Sequence, residues 1–231
     1  MSGINRALVA WVVLLPLASP ASAGVVSGKL ELPDVEHPPL ATKGFLDRTE
    51  NALAPVKPAS PAPRMVVVLE GDEKPVSPPQ VVVELLGETF SKKVVAAPAG
   101  AEVVIKNVSK SARTLTAAED PKLIPQGPIN PTGPKSFRVD NPGKVYTISD
   151  KDAPYLTLKV VVVNTQYFGY PDETGRFEID NVPAGAYKVK VWYQDDWVAL
   201  GDGPSLDVSA KGKTELNTKI PAAALQPGAK K

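Results

Sequence analysis

Short apolar runs, separated by turns rich in proline and glycine, constrain the fold of this chain more than any other feature. No window of about 11 residues after position 23 shows a helical period. Turn sequences such as 98–100 (Pro-Ala-Gly) and 141–143 (Asn-Pro-Gly) separate stretches of strand length instead. This pattern predicts an all-β chain folded as sandwiches or barrels. The predicted strands are 24–32, 65–70, 81–86, 93–97, 101–107, 113–117, 135–139, 144–149, 156–163, 176–179, 186–192, 206–209 and 214–220.

Residues 1–23 have the pattern of a secretory signal peptide. Arg6 supplies a positive charge, residues 7–17 form an apolar stretch, and Ala21-Ser22-Ala23 has the small residues of a cleavage site. A membrane anchor is the alternative, but the apolar run is shorter than the roughly 20 residues that span a bilayer. We therefore expect cleavage after Ala23, no membrane span in the mature chain, and a periplasmic or secreted location.

Charge and cysteine content narrow the class of partner. The sequence has 26 basic and 25 acidic residues, and loss of Arg6 with the signal peptide leaves 25 of each. A balanced mature chain has no excess of positive charge for nucleic acid or anionic lipid, so nucleic acid is not an expected partner. The chain has no cysteine. Exported eukaryotic domains of this size often carry disulfides, so the composition favours a bacterial envelope.

Proline divides the chain into segments. The segment 33–64 is so rich in proline that we expect neither a helix nor a central strand there, and its later part is expected to be extended and polyproline-like. Residues 223–231 form an Ala/Pro/Lys tail that we expect to be disordered.

His37, the single histidine, has no second ligand type near it in the sequence. A surface position is therefore expected for His37, not a metal site.

Residues 170–192 carry the sharpest local pattern. The sequence Asp-Glu-Thr-Gly-Arg-Phe-Glu-Ile at 172–179 is followed by Val-Pro-Ala-Gly-Ala-Tyr at 182–187 and an alternating strand. It resembles the conserved stretch of the carboxypeptidase-regulatory-like family in residue type and spacing. The resemblance implies a transthyretin-like, carbohydrate-binding-like β-sandwich with Phe177 and Tyr187 in its core. Residues 24–79 and 167–222 would then build one discontinuous sandwich, in which the strands at 24–32 and 65–70 pair with 176–192.

Residues 80–166 resemble a cupredoxin, a Greek-key β-sandwich, inserted into that first sandwich. Phe90, Gly100 and Asn107 fit the family pattern of a Phe before an apolar strand, a Gly turn and a strand ending in Asn. Pro154 aligns with the proline of the second ligand loop. A blue-copper site needs two imidazoles and a thiolate, usually with a thioether. The chain has no cysteine, and its histidine and methionines lie outside these loops.

In this register the four copper-ligand positions hold Arg113, Asp150, Ala153 and Leu156. The resemblance therefore implies a cupredoxin-like domain that has lost its copper ligands, and we expect neither a metal nor another cofactor. Arg113 and Asp150 would both have faced the metal, and a guanidinium and a carboxylate can form a bidentate pair in its place. Two independent, solvated loop charges are the alternative.

Four aromatic residues form a candidate binding surface: Trp192, Tyr193, Trp197 and Tyr170. Exposed aromatic platforms bind sugars, which makes a glycan ligand one interpretation. Packing in the core or between domains is the other, because large aromatic side chains are mostly buried. Strict alternation places Trp192 on the same face of the strand as Lys188 and Lys190. For Trp192 to be buried, the inserted domain would have to cover that face.

The sequence lacks the patterns of common catalytic sites, including Gly-x-Ser-x-Gly, His-Glu-x-x-His and a phosphate-binding glycine loop. We therefore expect no enzyme activity. The expected function is that of an exported binding or structural protein of the bacterial envelope that engages a protein or a glycan. The alternative is a metal-free cupredoxin-like accessory that docks an electron-transfer partner.

Overall fold

A computed structural model describes residues 23–33, 60–72, 77–201, 203–210 and 212–225. Nearly all of the regular structure in these ranges is β, which confirms the predicted fold class. Two short 3-10 turns lie at Ala62–Arg64 and Ala222–Leu225. No helix in the described ranges is long and apolar enough to cross a membrane. The strands are β1 (Ala23–Glu31), β2 (Met65–Glu70), β3 (Val81–Leu85), β4 (Val94–Pro98), β5 (Ala101–Asn107), β6 (Leu115–Ala117), β7 (Pro134–Val139), β8 (Val145–Asp150), β9 (Thr157–Val163), β10 (Phe168–Gly169), β11 (Arg176–Pro183), β12 (Gly185–Tyr193), β13 (Asp196–Trp197), β14 (Ser205–Val208) and β15 (Lys213–Lys219).

The first sandwich joins strands that lie far apart in the sequence. One sheet has the order β11-β1-β15, and the other has the order β10-β2-β12-β13 with β14 paired to β12. β1 pairs antiparallel with β11, and β2 pairs antiparallel with β12, as predicted for 24–32, 65–70 and 176–192. The bounds 24–79 and 167–222 for this sandwich stay predictions. Its core includes the expected anchors Phe177 and Tyr187, both buried.

The second sandwich is formed by the strands between these two parts. Its sheets have the orders β3-β5-β7 and β4-β9-β8-β6. β3 pairs parallel with β5, and β4 pairs parallel with β9. Apolar side chains of both sheets meet in one core that extends from Val83 to Val162. The turns that connect the strands at one end of this core contain the positions of interest for function.

The Asp-x-x-Gly-x-Phe sequence builds a tight turn before β11. The Asp172 carboxylate accepts hydrogen bonds from the backbone N–H groups of Thr174 and Arg176, at 2.8 and 2.9 Å. Gly175 has a φ of +82°, and a Cβ there would lie 2.4 Å from the backbone oxygen of Leu30. The backbone N–H of Leu30 in turn donates to the Gly175 oxygen at 2.8 Å. Only glycine fits this close approach of the turn to β1.

A third apolar cluster joins the two sandwiches. β2 and β12 present one face to the first core and the opposite face to β4 and β9. All of Met65–Leu69 is therefore buried, which explains the continuous apolar run of β2. The buried members of this interface cluster are Val66, Val68, Val94, Ala96, Val161, Val163 and Trp192.

The structure differs from the sequence prediction at several ends. β6 begins at Leu115 instead of Arg113, because Arg113 forms an isolated bridge with Ile129. β11 continues through Asn181 to Pro183, whereas the predicted strand ended at residue 179. Asn181 has a φ of +57°, close to the register shift opposite Gly24 and Val26.

Two segments expected to be irregular are partly ordered. Ala62–Arg64 is a 3-10 turn, so the end of the proline-rich segment is not extended throughout. Ala222–Leu225 is also a 3-10 turn, where a disordered tail was predicted from residue 223. Pro61 precedes the first of these turns, and Pro63 lies within it, where a proline loses no helical hydrogen bond. Residues 1–22 of the predicted signal peptide, His37 and residues 226–231 lie outside the described residues.

Candidate functional site

Three connections of the second sandwich meet at one end of its core. They follow β3, β5 and β8, and we call the residues 86–89, 108–114 and 150–156 the loop end. The backbone N–H of Val108 donates to the Leu85 oxygen at 3.1 Å, and that of Lys151 donates to the Thr114 oxygen at 2.9 Å. These bonds tie the first connection to the second and the second to the third.

Asn107 holds the second connection in place from inside the protein. Its side chain has no exposed surface, and its amide nitrogen donates to the backbone oxygens of Ser111 and Ile129 at 2.8 and 2.9 Å. Its carbonyl oxygen accepts from the N–H and hydroxyl of Ser109 at 3.0 and 2.6 Å. A buried amide with all of these partners fixes the path of residues 108–113.

Arg113 reaches from the second connection to the other two. Its backbone exchanges two hydrogen bonds with Ile129, at 3.1 and 2.7 Å. Its Nη2 donates to the backbone oxygen of Gly87 at 3.1 Å, and its Nη1 lies 3.8 Å from Oδ2 of Asp150. The distance between Nη1 and Oδ2 is that of an ion pair and is too long for a hydrogen bond. Arg113 and Asp150 are therefore paired, but not in the bidentate geometry that we proposed from the sequence.

Asp150 is buried at the end of β8, with none of its side chain exposed. Its Oδ1 accepts from the backbone N–H groups of Asp152 and Ala153, at 2.8 and 3.2 Å. Its Oδ2 and the Nε of Arg113 are both buried, and neither has a hydrogen-bond partner in the described part of the chain. The carboxylate therefore orders the 150–156 turn through one oxygen and faces the guanidinium with the other.

The other two positions that the sequence analysis aligned with copper ligands lie in the core. Ala153 and Leu156 are 4% and 1% exposed and pack in the main cluster of the second sandwich. The backbone N–H of Leu156 donates to the Ala153 oxygen at 2.9 Å, which closes the turn. The structure thus brings Arg113 and Asp150 together and places Ala153 and Leu156 among apolar side chains. In the described ranges, no three His, Cys, Asp or Glu side chains are grouped so that they could hold a metal ion.

Large apolar side chains are exposed at this same end. Leu86, Val108 and Tyr155 are 48%, 48% and 65% exposed, and we call them the loop-end patch. Leu86 precedes Gly87, the residue that Arg113 contacts, and Tyr155 lies in the turn that Asp150 orders. The sequence analysis did not identify these three residues. For Leu86 and Val108 the available signal was an apolar residue directly after a strand, whereas Tyr155 lies within the turn between β8 and β9 and had no such signal.

Two of the four predicted surface aromatics are buried. Trp192 is 3% exposed and belongs to the interface cluster, where its ring meets that of Trp197 edge-on at 5.2 Å. Tyr193 is 8% exposed and belongs to the core of the first sandwich. The two residues alternate along β12, so they face opposite sides of the sheet. In this arrangement they present no exposed aromatic platform.

Tyr170 and Trp197 are half-buried at the edge of the interface cluster. The Tyr170 hydroxyl accepts a hydrogen bond from the Ala96 N–H at 3.1 Å, and the Lys92 ammonium lies 3.5 Å from the centre of its ring. Burial raises the pKa of Tyr170 to about 12, while the hydrogen bond from Ala96 acts in the opposite direction. Tyr170 therefore links the two sandwiches, with one face of its ring already covered.

Comparison with known proteins adds only a likeness of fold. No family model and no curated protein matches the chain. Among solved structures, amicyanin from Paracoccus versutus is 14% identical over 42% of this chain and 96% of its own, with a TM-score of 0.32. A purple cupredoxin from Nitrosopumilus maritimus is 15% identical over 36% of this chain and 98% of its own, also with a TM-score of 0.32. Likenesses this distant carry no argument about what the chain binds.

Proposed function

We propose that this protein is an exported, non-enzymatic binding module of the bacterial envelope that engages a protein partner through the loop-end patch. The observation that supports this most is the exposure of Leu86, Val108 and Tyr155 on connections that are tied together beneath them. Four large hydrophobic side chains of the described residues are exposed, and three of them lie at this end. Isolated exposed apolar residues are ordinary, but a group of them at one end is typical of an interaction site.

The residues beneath the patch favour a preformed surface. Asn107 fixes one connection, and Arg113 joins the other two through Gly87 and Asp150. A surface that is ordered before binding loses less conformational entropy on association than a mobile one. The proposed partner is a protein in preference to a glycan, because Trp192 and Tyr193 are buried in the first sandwich and its interface.

Two further parts of the proposal rest on the sequence. Export to the periplasm or the exterior is supported by the signal-like residues 1–23. Assignment of the first sandwich to the carboxypeptidase-regulatory-like type is supported by the motif at 172–187. In that motif Asp172 and Gly175 build the turn, and Phe177 is a core residue, as the resemblance implies.

The test compares a patch variant with the wild-type protein. We would cross-link the mature chain in envelope extracts, identify the captured proteins by mass spectrometry, and measure binding of each purified candidate by calorimetry. The variant carries Leu86→Ser, Val108→Ser and Tyr155→Ser. We expect it to bind the partner at least about tenfold more weakly, because a few buried apolar contacts dominate most interfaces.

The matched control is Val82→Ser. Val82 is 45% exposed, similar to Leu86, but it lies within β3, away from the loop end. Circular dichroism establishes that both variants keep the wild-type fold. Unchanged affinity in the patch variant, or equal losses in the patch variant and the control, would contradict the proposal. So would the absence of any partner that can be confirmed with purified proteins.

A further inference from the structure

A cleft of about 890 Å³ lies where the two sandwiches meet, and its lining includes Phe90 and the three residues after it, which follow the first connection of the loop end. Clefts of this volume hold small molecules in many proteins, and they occur preferentially at domain boundaries. Segments from both sandwiches form the walls, including the 3-10 turn at 62–64, the start of β4 and the residues around Tyr170.

Positive charge dominates the lining of this cleft. Among the described lining residues, Arg64, Lys92 and Lys93 are basic and Glu173 is the one acid. Arg64, Lys93 and Glu173 are exposed to solvent, and Lys92 is an exposed residue whose ammonium is partly buried. Within the described ranges, no carboxylate lies close enough to any of the three cations to form an ion pair. An excess of unpaired positive charge at a concave surface attracts anions.

Lys92 shows most clearly that positive charge in the cleft lacks a negative partner. Partial burial of its ammonium lowers the pKa of Lys92, because removal from water disfavours the charged form. The face of the Tyr170 ring, 3.5 Å from the ammonium, supplies a cation–π contact but no negative charge. A bound anion would raise the pKa of Lys92, in opposition to the effect of burial, and would favour the charged form of the lysine.

The remaining walls are apolar. Four prolines line the cleft, and Phe90 lies at its base with 3% of its surface exposed. Lys92 covers one face of the Tyr170 ring, so that face is not free to stack on a sugar. The lining therefore matches a ligand with a negative head and a hydrocarbon body. The other apolar lining residues are Leu32, Pro33, Pro61, Pro63, Pro171 and Leu225.

We propose that this cleft is a binding site for a small amphipathic organic anion, with Arg64, Lys92 and Lys93 holding the negative group and the proline-rich walls holding the hydrocarbon body. The inference does not depend on the proposed function, since it concerns different residues and a different class of ligand.

The test is isothermal titration calorimetry of the mature protein with three probes. Octanoate has both the charge and the hydrocarbon body, octanamide keeps the body without the charge, and acetate keeps the charge without the body. We expect saturable binding of octanoate, at least about tenfold weaker binding of the other two, and weakening of octanoate binding by added salt. The triple variant Arg64→Gln, Lys92→Gln, Lys93→Gln is expected to weaken octanoate binding by about tenfold.

A second triple variant controls for the change in net charge. Lys110→Gln, Lys151→Gln and Lys188→Gln remove three exposed lysines that do not line the cleft, and binding of octanoate should be unchanged. Equal affinity for octanoate and octanamide, or equal effects of the two triple variants, would overturn the proposal. Octyl phosphate is a further probe with a different negative head. Failure of both octanoate and octyl phosphate to bind would also overturn the proposal. Binding of an acidic, leucine- and proline-containing peptide without octanoate binding would assign the cleft to a peptide and overturn the small-molecule ligand.

Discussion

Replacement of Asn107 is the most direct test of how the loop end is built. Asn107→Ala removes four hydrogen bonds, two donated to Ser111 and Ile129 and two accepted from Ser109. A typical intramolecular hydrogen bond contributes about 1 kcal/mol, so the expected loss of unfolding free energy is about 4 kcal/mol. That is a large fraction of the roughly 5–15 kcal/mol by which proteins of ordinary size are stable.

Asn107→Asp separates hydrogen bonding from side-chain shape. The introduced carboxylate can still accept from Ser109, but its second oxygen faces the backbone oxygens of Ser111 and Ile129 without a proton to donate. Burial and these oxygens disfavour ionisation, so the pKa of the introduced group rises in the folded protein above the roughly 3.9 of an unfolded chain. The stability of this variant relative to wild type is therefore greatest below about pH 4 and falls as the pH rises through the raised folded-state pKa.

Urea unfolding followed by circular dichroism at several pH values measures both effects. Hydrogen exchange with mass spectrometry should show faster exchange in residues 108–113 of both variants than in wild type. Asn141→Ala is the control, because Asn141 is exposed in a turn, and it should change stability by less than about 0.5 kcal/mol. A loss below about 1 kcal/mol in Asn107→Ala, or the same pH dependence in both Asn107 variants, would refute the reasoning.

Three other predictions follow from single observations. In a double-mutant cycle of Arg113→Met and Asp150→Asn, we expect the losses of stability to be non-additive by about 1 kcal/mol, whereas additive losses would mean that the ion pair contributes nothing. Titration of phenolate absorbance should show one tyrosine that ionises near pH 12 and is absent in Tyr170→Phe. Wild type should also lose more stability than this variant between pH 10 and about 12, and equal pH dependence would refute the assignment. Calorimetric titration with Cu(I) and Cu(II) should show only weak binding, because the chain has no cysteine, and submicromolar binding that persists in His37→Ala would contradict this.

Strand positions were predictable from the sequence because each strand is short and bounded by its own turn chemistry. The runs at 65–70 and 101–107 match β2 and β5 without a change of bounds. No local signal in the sequence predicts the parallel pairing of β4 with β9. Both strands are apolar at most positions, so pairing with a different strand would bury their side chains equally well. A predicted strand end was wrong where the backbone pairs outside the sheet. This is the case at Arg113, whose backbone pairs with Ile129.

The sequence predicted only part of the candidate site: the family resemblance brought Arg113 and Asp150 together, but the exposed residues of the loop-end patch were not identified. Counting from Asn107 and Pro154 brought Arg113 and Asp150 to the same place, and the structure has them as an ion pair. The Gly87 oxygen takes one guanidinium nitrogen and two backbone N–H groups take one carboxylate oxygen, so only the other nitrogen and oxygen are left to form the ion pair. No local pattern in the sequence reveals which backbone groups will compete for a side chain.

The burial of Trp192 shows how the insertion of one sandwich into another changes the meaning of a strand pattern. Along β12, strict alternation assigns Trp192 to the face that carries Lys188 and Lys190, which predicts exposure. That face is exposed at Lys188 but is covered at Trp192 by Val94 and its neighbours on β4 and β9. The same covering buries both faces of β2, which reads as a continuous apolar run. β12 has an alternating sequence and the neighbouring β2 has a continuous apolar run. Both patterns have one cause, because the second sandwich covers only part of the sheet.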